Sequence, residues 1–339
     1  MAFRFLLLLL PVLAACGEQR LPQQELAGTA LGTTFKVAIV EPALDLDSAA
    51  LEADILATLS RIDKLASTWR DDSELSVFNA SRSTDWIDVT AEFCNALDET
   101  LAISRLTGGA FDVTVGPLVN LWGFGPDGAT TEPPPDDAIA AAMAHVGFDK
   151  LHTDCADQTV RKDAAAVYVD LSGWAKGHAV DALAALLDAT GSDNYLVEIG
   201  GEIRVSGHNS EQRKWAVAIE APSTSKRVQQ AVIRVSDTSV ATSGDYRNYF
   251  EHGGNSYSHT IDPRTGRPVT HELAAVTVVH PENAFADAMA TALLVLGPEE
   301  GPVLAEDLGV CLLYTSPSPR DNQPHRVCRL LLEKGGGGG

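Results

Sequence analysis

The run YLVEIGGEIRV at 195–205 constrains the fold more than any other stretch of the chain. Two short β-type segments meet at Gly200-Gly201, a pair that marks a bulge or tight turn. Strands joined so closely run antiparallel, because a parallel pair needs a connection of about a dozen residues or more. Around this pair, strand and helix signals alternate. Thr33–Val40 (TTFKVAIV) is β-rich, and 275–279 (AVTVV) reads as a buried strand. Trp215, Val217 and Ile219 alternate, and 232–235 does so less cleanly. The run 167–171 (VYVDL) predicts a short strand ending at Ser172-Gly173. Leu51, Ile55, Leu59, Ile62 and Leu65 recur at helical spacing and predict a helix over 48–66. A second helix is predicted over 90–106. A third follows Ser172-Gly173, with Ala179, Val180, Leu183, Leu186 and Leu187 on one face. A fourth opens at Pro281-Glu282-Asn283 and runs to Gly297, placed as a C′ glycine. Together these signals predict an α+β fold: a mixed, largely antiparallel sheet with packed helices.

No long repeat is present. The clearest loop is 125–137 (GPDGATTEPPPDD), but chemistry-bearing motifs fall on both sides of it, so the body reads as one catalytic unit. Residues 1–15 combine Arg4, a short apolar run and small residues, the pattern of an export signal. With Cys16 following Leu13-Ala14-Ala15, the segment resembles a bacterial lipobox, and Cys16 would carry the lipid. Residues 16–26 then read as a polar tether. The expected place is the bacterial cell envelope, lipid-anchored and facing the periplasm, with the inner membrane favoured. Of five cysteines, four remain after Cys16 (Cys94, Cys155, Cys311 and Cys328). They show no CxxC and no zinc spacing, so no structural metal is expected there, and the sequence does not choose a disulfide pair. Residues 311–339 lose the acidic bias and end in five glycines, so they read as a disordered or foreign tail.

Acidic residues number 46 against 25 lysines and arginines, a net charge of −21. Such a surface repels a phosphate backbone, which argues against nucleic-acid binding. Any anionic ligand must be held by a local device, a metal ion or a set of backbone N–H groups.

Four runs could form one. The first, GGAFDVTVGPLVNLWGFGP at 108–126, sets Asp112 between apolar neighbours and offers Trp122 and Phe124 as flat faces, although a packed core loop is the simpler alternative. In the second, DLSGWAKG at 170–177, a strand ends in Asp170 and a helix begins near Lys176; helix N-termini attract anions, and a capped helix with a solvated lysine is the alternative. The third joins Ser243-Gly244-Asp245-Tyr246 to SHTIDPRTG at 258–266, where His259 is suited to proton transfer or is a structural histidine. In the fourth, DAMAT at 287–291, Asp287 and Thr291 share a helix face in apolar surroundings. Hard oxygen ligands of this kind suit Mg²⁺; a structural role near a helix start is the alternative for Asp287.

Taken in order, and with Gly32-Thr33-Thr34-Phe35, Ser67-Thr68-Trp69, Ser73-Glu74-Leu75, Phe78-Asn79 and 194–207, these runs resemble the ApbE family of FAD:protein FMN transferases across residues 27–310. The resemblance implies an ApbE-like, T-fold-related catalytic unit that cleaves FAD with Mg²⁺, attaches FMN by a phosphoester to a Thr or Ser hydroxyl of a target redox protein, and releases AMP. It implies Nqr/Rnf-type membrane subunits as acceptors. A periplasmic FAD pyrophosphatase giving FMN and AMP, or a non-catalytic FAD-binding lipoprotein, would use the same motifs. By the same resemblance His259 is the base for the acceptor hydroxyl. Gly173 (through its carbonyl), Asp287 and Thr291 hold the metal. Leu31, Trp69, Ala110, Phe111, Asp112, Asp170, Lys176 and Ile261 contact FAD. Some members carry a second acid just before the threonine, where this chain has Ala290.

Overall fold

The structure, a computed structural model, describes residues 20–44, 46–220, 229–245, 248–315 and 325–327. Residues 1–19, with the export signal and Cys16, lie outside the described residues, as do Tyr246 and Cys328.

Among the described residues the main sheet has eight strands. In spatial order they are Gln23–Ala30, Thr33–Val40, Tyr195–Ile199, Glu202–Ser206, Thr238–Gly244, Ala275–His280, Cys311–Thr315 and His325–Val327. Every neighbouring pair is antiparallel. The central hairpin turns at Gly200-Gly201, pairing Ile199 with Glu202. Period-2 alternation divides the two faces. Phe35, Val37 and Ile39 pack with helices Ser48–Ala66 and Ser172–Ala189, while Ala38 and Val40 face the separate hairpin of Trp215–Glu220 and Gln229–Val235. Further along the sheet, Val276, Val278 and Leu312 pack with helices Ala91–Leu106 and Asn283–Asp307.

Four expectations shift. The tether was placed through residue 26, but Gln23–Ala30 is already an edge strand, turned back onto Thr33–Val40 at Leu31 and Gly32 (φ 51° and 71°). Two successive positive φ values suit a tight hairpin turn whose twist matches its strands. The tail was set aside from residue 311, yet Cys311–Thr315 pairs with Ala275–His280 and buries Leu312 and Leu313. Its apolar start belongs to the sheet, whatever the composition of the residues after it. The late helix was ended at Gly297; there the chain does turn, at φ 74°, but a further helical segment carries on to Asp307. Finally, 167–171 forms no strand. Val167, Val169 and Leu171 are fully buried as expected, but without a sheet partner.

Candidate active site

Two helices bring the separated motifs together. Helix Ser172–Ala189 presents its first turn, with Gly173 and Lys176; helix Asn283–Asp307 presents Asp287 and, one turn on, Thr291. They cross at Gly177. A Cβ there would stand 2.5 Å from the Asn283 carbonyl oxygen, so only glycine permits this approach. The contact has a chemical result: the Gly177 N–H donates to Asp287 Oδ2 at 3.1 Å. Gly173 lies against the same threonine, since a Cβ on it would be 3.3 Å from Thr291 Oγ1. Ser243 Oγ is 3.5 Å from that hydroxyl.

These residues line a cavity of about 430 Å³. Its walls include Ala110, Phe111, Asp112, Asp170, Gly173, Lys176, His259, Ile261, Asp287 and Thr291. Leu31 and Trp69 are not among the lining residues: Leu31 sits in its hairpin turn, and Trp69 is 71% exposed on the surface. Asp112 is buried and occupied locally, accepting hydrogen bonds from the Thr114 N–H and hydroxyl and from the Phe148 N–H. Burial pushes its carboxyl above the usual range, against those bonds. The carboxylate thus shapes the Gly-rich loop that also carries Ala110 and Phe111. Asp170 Oδ1 accepts from the Ser172 N–H, the first of the site helix, at 2.8 Å.

The electrostatic centre is a trio of two buried carboxyl groups and a half-buried lysine. Lys176 Nζ lies 2.7 Å from Glu202 Oε1 and 3.3 Å from both oxygens of Asp287. Burial alone would lower the Lys176 pKa, but the charges of Asp287 and Glu202 reverse that and raise it. Burial, opposed by the Lys176 ammonium and reinforced by Asp287, pushes Glu202 up to about 8. Glu202 Oε2 is buried without a hydrogen-bond partner. Two carboxyl groups therefore share one ammonium, Glu202 is held towards its neutral form and keeps an orphaned oxygen, and further positive charge in the cavity would favour its ionised form. No group of three or more His, Cys, Asp or Glu side chains suited to a metal occurs among the described residues. The donors that the resemblance assigns are of another kind, one carboxylate, the Thr291 hydroxyl and a main-chain carbonyl, and hard oxygens of that chemistry would fit Mg²⁺ completed by water or phosphate oxygens.

Glu202 was not singled out from the sequence. Its signal was available, as a lone acid immediately after Gly200-Gly201 at the start of a sheet strand.

His259 follows the hairpin of Tyr249–His252 and Asn255–Ser258. Phe250 and Tyr257 of that hairpin stack on one another and on Trp122, while Phe124 meets the His259 ring edge-on at 6.2 Å. The aromatic faces read from the sequence thus hold the histidine's support. His259 Nδ1 lies 3.2 Å from the Asn248 carbonyl oxygen. A carbonyl only accepts, so Nδ1 carries the proton and Nε2 keeps a free lone pair. Burial, with a contribution from the Lys176 charge, lowers the pKa below the ordinary histidine value of 6.5. The neutral, proton-accepting form is therefore favoured.

Cys94 and Cys155, unassigned in the sequence, form a disulfide between helix Ala91–Leu106 and the turn after strand Leu151–Asp154.

Comparison with known proteins agrees with this geometry. The ApbE family model matches residues 31–313. The FAD:protein FMN transferase of Vibrio cholerae is 43% identical over 295 residues, spanning 87% of this chain and 87% of that protein. The protein of the same description from Escherichia coli K12 is 40% identical over 290 residues, covering 85% and 82%. Among solved structures, the flavin transferase ApbE from Vibrio cholerae superposes with a TM-score of 0.82 at 39% identity, covering 90% of this chain and 97% of its own. The Pseudomonas stutzeri flavinyl transferase ApbE gives 0.79 at 38% identity, covering 87% and 91%. With the motifs gathered in one cavity and the family model matching residues 31–313, this chain belongs to the ApbE family.

Proposed function

We propose that the chain is a FAD:protein FMN transferase that moves FMN from FAD onto a Thr or Ser hydroxyl of an acceptor protein and releases AMP. One observation carries the reading: Asp170, Gly173, Lys176, His259, Asp287 and Thr291, distant in sequence, line a single cavity. Asp287, Thr291 and the Gly173 carbonyl would hold Mg²⁺. Bound there, Mg²⁺ neutralises phosphate oxygens and charge that builds in the transition state. His259 Nε2 accepts the proton of the acceptor hydroxyl. That oxygen bonds to the FMN phosphorus, the bond from this phosphorus to the AMP oxygen breaks, and AMP leaves with the electron pair. Lys176 keeps one positive charge between Asp287 and Glu202, and the buried walls of Phe111 and Ile261 limit water that would compete with the acceptor.

The acceptor class we favour is membrane redox subunits of the Nqr/Rnf type, reached at the periplasmic face from a lipid anchor at Cys16. The Cys94–Cys155 disulfide supports an oxidising compartment. No helix of the described residues is long and apolar enough to cross a membrane.

The test is incubation with FAD, Mg²⁺ and a candidate subunit carrying an acceptor threonine. The expected result is one FMN added to the subunit, matched by one AMP. Release of free FMN at the same rate with and without the subunit would instead make the chain a hydrolase.

A further inference from the structure

The segment 167–171 has the sequence of a buried strand but no strand beside it. Its backbone still needs partners, since an unpaired buried N–H or C=O is costly. At Val169, fully buried, both partners come from one side chain. The Val169 N–H donates to Asn79 Oδ1 at 2.8 Å, and Asn79 Nδ2 donates to the Val169 carbonyl at 2.8 Å. The amide thus copies the two-way pairing of a neighbouring strand. The next N–H, of Asp170, donates to the Val113 carbonyl at 2.7 Å. One residue beyond the clamp stands the Asp170 carboxylate, and four beyond it Gly173.

Asn79 is itself anchored. It lies in the last turn of helix Glu74–Ala80, whose first turn is capped by Ser73 Oγ accepting from the Ser76 N–H. At the other end the fully buried Lys162 donates through Nζ to the carbonyls of Phe78 (3.3 Å), Asn79 (3.5 Å) and Ser81 (2.7 Å). An ammonium on the carbonyls at a helix C-terminus is the favourable sense of charge against the helix dipole.

We propose that Asn79 is a positioning residue. Its amide, held by the Lys162 cap, sets the end of the 167–171 segment from which Asp170 and the Gly173 carbonyl reach the cavity. It touches no substrate atom in this account and acts through Val169. The consequence for metal binding rests on the reading of Gly173 as a ligand; the clamp itself does not.

Hydrogen exchange and Mn²⁺ titration without FAD, on the full chain, test both levels. The variants are Asn79→Ala, Asn79→Asp and, as a remote core control, Val217→Ala. Asn79→Ala should speed exchange across 167–173 by about tenfold or more while 275–280 stays protected, and weaken Mn²⁺ binding by a similar factor. Asn79→Asp keeps the acceptor and loses the donor, so it should fall between wild type and alanine; it also provides the reading if the alanine variant does not fold. Val217→Ala should lower the Tm without selective change in 167–173. Unchanged exchange at 167–173 in Asn79→Ala, or a uniform rise like that of a general destabilisation, overturns the proposal. Local loss of protection with Mn²⁺ affinity intact supports the clamp and rejects Gly173 as a ligand.

Discussion

Among the described residues, a cleft roomier than the site cavity lies away from where the motifs meet. A cleft of about 730 Å³ lies between helices Ala91–Leu106 and Ser172–Ala189 and the start of Asn283–Asp307; the site cavity encloses about 430 Å³. Both are rich in acids, but the acids are used differently. In the larger cleft, Asp181 accepts from the N–H groups of Asn283 and Ala284 and so caps the late helix from its neighbour. Asp188 takes the Tyr195 hydroxyl, and Glu99 takes the Trp174 indole N–H. These carboxylates are committed to the fold. In the smaller cavity Asp287 and Glu202 share Lys176, and Glu202 keeps an oxygen without a partner. The unpartnered buried atoms of the larger cleft are nitrogens, of His178 and Arg204, whereas that of the smaller cavity is a carboxyl oxygen, so the kind of unfilled polar group separates the two better than volume does.

The contrast is broken most directly at Asp287. Asp287→Ala should reduce Mg²⁺-dependent turnover by about 10³-fold or more, with circular dichroism unchanged, because it removes the carboxylate on which the charge balance turns. Next comes His259→Ala, expected to lower kcat by about 10²–10³-fold while FAD affinity stays within about twofold. The folded pKa of His259 lies below 6.5, so its neutral form persists as the pH falls to that value. The acid limb of the wild-type kcat profile should therefore lie below pH 6.5 and be absent in the variant.

A stability effect ranks third. The Cys94–Cys155 bond spans 61 residues, and opening a loop of that length should cost about 4 kcal/mol. Replacing both cysteines with alanine should lower the Tm by several degrees and leave FAD affinity, measured well below the transition, unaltered. The smallest effect belongs to the larger cleft: Glu99→Gln and His178→Gln should leave turnover within about twofold of wild type. His178, stacked on Trp174, should show itself in stability instead. Burial and Arg61 lower its pKa to about 4, so the folded state binds fewer protons than the unfolded chain between about 4 and 6.5. Stability from this group is complete above pH 6.5 and lost as the pH falls through that window; His178→Gln should flatten that part of the Tm–pH curve.

Elements with a strong period were legible in the sequence. The helix expected over 48–66 is Ser48–Ala66, its apolar stripe buried as the spacing required. Most of the expected site residues also meet, because their motifs carry chemistry at short range: an acid before a helix start, an acid and a hydroxyl one turn apart. What stayed hidden depends on partners far along the chain. The run VYVDL has strand composition, but its partner is the Asn79 side chain, and no local pattern announces that. Residues after 310 were judged on their overall composition, which masked the two strands, Cys311–Thr315 and His325–Val327, that extend the sheet there. Glu202 was not singled out, because its role depends on Lys176 and Asp287, which stand far from it in the chain. The disulfide pair was indeterminate because spacing alone does not choose between cysteines.

The proposed transfer requires Asp287 and Gly173 to serve one divalent ion. Intact mass spectrometry of an acceptor subunit, after incubation with FAD and either the wild-type chain or Asp287→Ala, with Mg²⁺ or with excess chelator, asks this directly. One FMN should appear on the acceptor only with wild-type chain and Mg²⁺ together. An equal FMN adduct in chelator, or from Asp287→Ala, would contradict it.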